Sequence, residues 1–423
     1  MDMATKVLDL SQCYHSLSTV FPYFHRLDFD PEAWYSECVR RAVTAQDEKH
    51  YHLAMIAFLN RFGDGHTDYR PPRAWMDRIG HLPFQLDTFS DGYYRAGEHV
   101  LAIDGVTPEA WTEQMRDILP SREGFIYPES FQRYLPLFLP EGKHVLTTTA
   151  GEAVFQLSPE RAKPTGFRPE ASLPYVTLRE GPCLRRYAED ILYIRLDHFL
   201  MDWAQAIREA LTEYRHWRGV ILDIRENIGG MTLYAARVAE LFLNGEFSAC
   251  RKWTRLTRGI DLASASPMAN MTAEKLKKLG ADKENRQCLD TLSRRNFEEY
   301  TDSFGTSGQK AVYSGPLVLL TGSSTISAAE DFTAMFRSNG RAWLLGMPTR
   351  GTTGTPLTQA LPGGGALRVV SVGYRLLDGT DFIGKGIACD EQCSPNPVAW
   401  YSGHDEALQR ALEHLLKSES LGD

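Results

Sequence analysis

The chain has 423 residues, 43% apolar and 24% charged, the balance of a folded globular protein and not of a disordered one. Its 46 bases against 54 acids leave a formal charge of −8, which argues against a general nucleic-acid binder, because phosphate contacts need a basic face. No apolar run approaches the roughly 20 residues that cross a bilayer, so no membrane span is expected.

At about 150 residues per domain, this length suits two or three domains. The first twenty residues carry polar or charged groups throughout and lack the apolar stretch of a secretory signal. The seven cysteines, at 13, 38, 183, 250, 288, 389 and 393, are odd in number and scattered, with no CxxC. They imply no disulfide framework and point to a reducing, cytoplasmic setting. Cys389 and Cys393 have no second Cys/His pair at zinc spacing, so no metal and no cofactor is expected.

Residues 1–80 read as a helical domain. Asp30-Pro31-Glu32 is a helix start, with a capping carboxylate and Pro at the first helical position. A second helix is expected from about Asp47 to Phe62, stopped by Gly63. Residues 81–165 form a β-rich module of short apolar runs. Within it, residues 99–119 read as strand, Asp-Gly turn and amphipathic helix. Residues 158–170, rich in Pro and charge, look like a linker.

From 166 to 400 strands and helices alternate. Strands are expected at 191–196, 219–224, 316–321 and 342–346, and helices from Trp203 to Tyr214, Met231 to Leu243 and Ser327 to Phe336. That alternation predicts an α/β fold with a largely parallel sheet covered on both faces. Residues 250–312 interrupt it as a charged, helix-prone insertion with too little apolar content for the sheet. A last helix is expected over 401–423.

Function in such a sheet sits at the carboxyl ends of the strands. Two loops there are distinctive: DIRENIGG at 223–230 and LLTGSSTISAAEDF at 319–332. Paired glycines let a backbone turn sharply and present N–H groups to a ligand. Ser327, at a helix start, is either an ordinary N-cap or a nucleophile set where helix N–H groups stabilise an oxyanion. No GxSxG or SxxK surrounds it, which disfavours the α/β-hydrolase and penicillin-binding types.

Together these segments resemble the S41 peptidases, the family of C-terminal processing proteases and the tricorn core. GVILDIRENIGG resembles the family's strand and glycine turn, and the run from LLTGSSTISAAEDF to GTTG its nucleophile segment. LPGGGALRVV with DGTDFIGKGIACD resembles the closing β segment, LNRFGDGHT (59–67) the tricorn-like N-terminal motif, and HVLAIDG the PDZ-like module. The resemblance spans most of residues 30–395. It implies a crotonase- or Clp-protease-like core and a serine peptidase that takes peptides or unfolded chain ends as substrate.

By the same resemblance Ser327 is the nucleophile, and the N–H groups of Ala328 and of Gly229 or Gly230 hold the oxyanion. The processing proteases place a lysine where this chain has Thr352, so the base falls to His66, as in the tricorn-like branch. Imidazole suits that task because it exchanges protons near neutrality. Tricorn's serine before the histidine is Gly65 here, and its glutamate falls at Ile383. Asp381 is then the foremost candidate to orient His66, ahead of Asp378 and Asp64. The rival function is a weak or inactive S41-type protein that binds a hydrophobic ligand or peptide. The interphotoreceptor retinoid-binding protein modules, which the family resembles, are of that kind.

Overall fold

A computed structural model of the chain describes residues 1–122, 125–126, 128–162, 172–179, 182–213, 216–257, 259–268, 271–280 and 283–417. Most of the expected linker (163–170), Tyr214 and the last six residues of the expected final helix lie outside them. The chain divides into two compact units. One comprises Met1–Pro72, Arg251–Thr301 and Gly354–Tyr374, the other Arg73–Cys250, Asp302–Thr353 and Arg375–Asp423.

The first unit opens with helices Met3–Val20, Pro31–Val43 and Glu48–Asn60. The starts of the last two are set by side chains, as the sequence indicates for Asp30. Asp30 accepts the N–H groups of Glu32 and Ala33, and Asp47 that of His50. The short strand Asp68–Arg70, read as helical territory from sequence, pairs antiparallel with Ala366–Val370, which pairs in turn with Pro356–Ala360.

The charged stretch 250–312 holds helices, as expected, but also two strands. Cys250–Arg255 pairs antiparallel with Phe297–Thr301, and both share a sheet with Val372–Leu376. A sequence as polar as CRKWTR serves as a strand because its partners absorb the charge and the ring. Lys252 Nζ lies 4.9 Å from the centre of the Tyr374 ring, and Trp253 fills the space that a Cβ on Gly373 would take.

The second unit is built on a seven-stranded sheet. Its order is Glu391–Gln392, Trp343–Gly346, Leu317–Thr321, Gly219–Asp223, Ile191–Arg195, Cys183–Tyr187, Tyr175–Arg179. The first five strands run parallel, and the last two add antiparallel at one side. Ile191, Tyr193, Ile221, Val318, Leu320 and Leu345 face the helix Glu406–Lys417, which buries Leu408, Leu412 and Leu415 against them. Each such leucine contributes about 1.5–3 kcal/mol. The alternate residues Leu192, Ile194, Val220, Leu222 and Leu319 are equally buried, so both faces are covered.

A second sheet in this unit is antiparallel, in the order Asp87–Phe89, Gly92–Arg95, Glu98–Ile103, His144–Thr148, Gly151–Phe155. Helix Pro108–Gln114 follows its third strand through the Asp104-Gly105 turn, as the sequence indicates.

Candidate functional site

The strand Leu317–Thr321 leaves the sheet at its carboxyl end and reaches the helix Ala328–Ser338 through a tightly pinned turn. Thr325 Oγ1 accepts the Gly322 N–H and donates to the Ile224 carbonyl, while Ile326 N–H donates to the Asn227 carbonyl. Ser327 follows with φ 61° and ψ −126°, and its side chain makes no capping bond to the helix. An N-cap would have extended backbone and a hydroxyl oxygen that accepts a helix N–H. Ser327 has neither. Its conformation costs on the order of 1–3 kcal/mol for a residue with a side chain, a strain that collects at functional sites.

The glycine turn meets this serine. A Cβ on Gly229, at φ +85°, would stand 2.7 Å from Ser327 Cβ and 2.8 Å from the Ile326 carbonyl oxygen. A Cβ on Gly230 would stand 2.4 Å from the Phe199 carbonyl. Close approach therefore demands glycine twice. The turn is fixed by Asn227, whose Nδ2 donates to the Leu196 carbonyl and whose Oδ1 accepts the Gly229 N–H at 2.9 Å. That bond takes the Gly229 N–H away from any oxyanion. The N–H groups of Gly230 and Ala328 make no hydrogen bond among the described residues.

Two acids that the sequence presents as ordinary first-turn residues brace the serine. Glu330, fully buried, accepts from Thr349 Oγ1 at 2.5 Å, Gly351 N–H at 2.7 Å and Thr352 N–H at 2.6 Å. Thr352 in turn accepts the Ser327 N–H at 3.0 Å. Burial pushes the Glu330 carboxyl up to about 8, and its three donors pull the other way. Asp331 accepts from Thr232 Oγ1 and Thr353 Oγ1, which ties the helix after the glycine turn to the segment after Thr352.

A cavity of about 670 Å³ opens at the carboxyl ends of the parallel strands, lined among others by Tyr93, Arg195, Ile228, Ile326, Met347 and Trp400. Ile228 and Ile326 immediately precede Gly229 and Ser327, so the cavity adjoins the turn that carries Ser327.

His66 belongs to the first unit and Ser327, Ala328, Gly229, Gly230 and Asp381 to the second. His66 is 6% exposed, on the loop before strand Asp68–Arg70. Asp64 Oδ1 accepts its backbone N–H at 2.8 Å. Arg368 bridges Asp68 Oδ1 and the Gly65 carbonyl, and the Val370 N–H donates to Thr67 Oγ1. Burial lowers the His66 imidazole to about 4; Arg368 and Arg70 act the same way and Asp68 opposes them. The ring is therefore neutral at physiological pH, the form a base requires.

Asp381 Oδ1 accepts the Ile383 N–H at 3.3 Å, and Asp378 Oδ1 the Thr380 N–H at 2.8 Å, the turn that Asp-Gly commonly forms. Ile383 itself is buried. All seven cysteines are free thiols. Among the described residues no helix is long and apolar enough to cross a membrane.

Residues 190–393 match the model of Peptidase family S41. Among solved structures, mature CPAF superposes with a TM-score of 0.72 at 15% identity, covering 98% of each chain. CPAF complexed with lactacystin gives 0.69 at 16%, over 99% of this chain and 98% of that one. A putative peptidase from Parabacteroides merdae gives 0.56 at 17%, over 98% of each. At these identities the structural likeness speaks for the fold. No curated protein matches the chain.

Proposed function

We propose, from the match of residues 190–393 to peptidase family S41, that the chain is a serine peptidase with Ser327 as its nucleophile and His66 as its base. Ser327 Oγ attacks the peptide carbonyl while its proton passes to the neutral His66 imidazole. The carbonyl oxygen becomes an oxyanion held by the N–H groups of Ala328 and Gly230. Collapse breaks the C–N bond, and His66 returns the proton to the leaving amine. Water, deprotonated by the same imidazole, then attacks the acyl carbonyl, and the C–Oγ bond breaks as the imidazole returns the proton to Ser327 Oγ.

The observation that carries this reading is the strained, uncapped Ser327 pressed against Gly229. Thr352 at the lysine position of the processing proteases favours the tricorn-like branch, with a histidine base. The sheet and its covering helices support a crotonase- or Clp-like core, and the five-stranded sheet of residues 87–155 a PDZ-like module. Seven free, scattered thiols favour a cytoplasmic setting. Peptides or unfolded chain ends are the substrates. A fluorophosphonate should label the purified protein at Ser327 and fail on Ser327→Ala. Folded protein that takes no label at Ser327 would turn the reading toward a ligand-binding role.

The depressed His66 pKa sets two pH expectations. If His66 is the base, the acid limb of kcat/KM should fall near pH 4, where the ring gains its proton, instead of near 6.5. Stability follows the same group. The unfolded chain binds that proton at about 6.5 and the folded one only near 4, so stability is full above pH 6.5 and declines as pH falls toward 4. At 1.36 kcal/mol per unit, the loss is on the order of 3 kcal/mol. Thermal melts across this range should show the decline, and His66→Gln should flatten it; an equal slope in both proteins excludes His66 as its source.

Asp381 is proposed to hold the second ring nitrogen of His66 in place. Asp381→Asn keeps the shape and removes the charge, and should lower kcat by about 10²–10⁴ while moving the pH profile. An unaltered kcat and profile would exclude Asp381 from the site.

A further inference from the structure

Five large apolar residues, Leu200, Met201, Ile228, Met231 and Leu233, stand 50–65% exposed on two short segments beside the nucleophile turn. The segments are tied to each other. Phe199 N–H donates to the Gly229 carbonyl, Met231 N–H to the Phe199 carbonyl and Ile228 N–H to the Asp197 carbonyl. Between the exposed residues, Phe199 points inward and is wholly buried, with its ring 5.1 Å from that of Phe332 on the helix that Ser327 opens. The backbone carrying the five side chains is thus anchored to the nucleophile helix.

Their distance from the chemistry is short. Ile228 and Met231 flank Gly229-Gly230, so their Cα atoms lie within about 8 Å of the glycine that touches Ser327. Ile228 also lines the cavity at the carboxyl ends of the parallel strands, so one member of the group borders that cavity. Charged groups border the two segments: Asp202 pairs with Arg237 at 2.6 Å, Asp197 pairs with Arg195 at 2.7 Å, and Glu226 is exposed two residues before Ile228.

We propose that Leu200, Met201, Ile228, Met231 and Leu233 form a shelf that receives an apolar substrate side chain next to the scissile bond. The proposal rests on Ser327 being the nucleophile. Apolar clusters of this kind, rimmed by polar groups, mark binding surfaces. Two of the five are methionines, whose unbranched, polarisable side chains adapt to differently shaped partners. The shelf therefore selects for apolar character, Leu, Phe and Met alike, and not for one residue.

The test uses the full chain carrying Leu200→Ser and Met201→Ser, with Met231→Gln as an independent variant. Paired peptides differ only in having Leu or Ser beside the cleaved bond. Fluorophosphonate labelling of Ser327 should be unchanged, which keeps a failed shelf separate from a failed nucleophile. The Leu peptide should lose about tenfold in kcat/KM through KM, and the Ser peptide should be cleaved as before. Equal losses for both peptides, or none for either, would overturn the proposal. So would a change of oligomeric state by light scattering with the Leu preference intact, because the occupant would then be a second copy of the chain.

Discussion

Ser327→Ala should lower peptide hydrolysis by on the order of 10⁶-fold, the scale seen when a serine peptidase loses its nucleophile. His66→Ala should cost nearly as much, and the double variant little more than either alone, because the two act on one proton transfer. Strong activity in His66→Ala would place the base elsewhere and remove the tricorn-like assignment. The strain at Ser327 adds a second readout. Alanine keeps a Cβ at φ 61°, so Ser327→Ala should melt close to the parent protein. Glycine accepts that conformation, so Ser327→Gly should be inactive yet more stable, by about 1 kcal/mol once its greater freedom in the unfolded chain is subtracted. A Ser327→Gly protein less stable than Ser327→Ala would mean that the turn is not strained.

Four of the five parallel strands were legible because ILYIR, GVILD, LVLLT and WLLG are mostly apolar runs, the pattern of strands in a sheet covered on both faces, whereas Glu391–Gln392 carries no such signal. Asp30 was legible as a cap for an equally local reason: its carboxylate accepts N–H groups two and three residues ahead. Cys250–Arg255 and Phe297–Thr301 were hidden because their strand character depends on Tyr374, Gly373 and each other, partners distant in sequence. Phe297–Thr301 buries so little that its own pattern resembles a solvated helix.

The site divides along the same line. Ser327 and the glycine pair stand out as residue types at the ends of strands. Glu330 does not, since an acid in a first helical turn is commonplace, and only the fold brings Thr349, Gly351 and Thr352 to it. Asn227 is the same case. Its Oδ1 accepts the Gly229 N–H, and no spacing in the sequence records that bond.

Gly229 gives the sharpest test of how rigidly the serine must be held. Gly229→Ala would put a Cβ 2.7 Å from Ser327 Cβ, 2.8 Å from the Ile326 carbonyl oxygen and 3.1 Å from the Ala328 nitrogen. Two of these neighbours are backbone atoms and the third is the nucleophile's own Cβ, so relief requires moving the turn. The φ of +85° adds roughly 1–3 kcal/mol of strain for a residue with a side chain. A displacement of about 1 Å at a reacting group costs on the order of 10² in rate, and here it would also shift the Ala328 N–H, the donor proposed for the oxyanion. Gly229→Ala should therefore lower kcat by about 10²-fold or more and slow fluorophosphonate labelling of Ser327 to match. Gly105→Ala is the control. Gly105 has a similar φ of +73° but nothing within 4 Å of its Cβ position, so that variant should lose stability and keep kcat. If the two variants lose stability alike and both keep full kcat, Gly229 serves only the turn's conformation, and its contact with Ser327 has no part in catalysis.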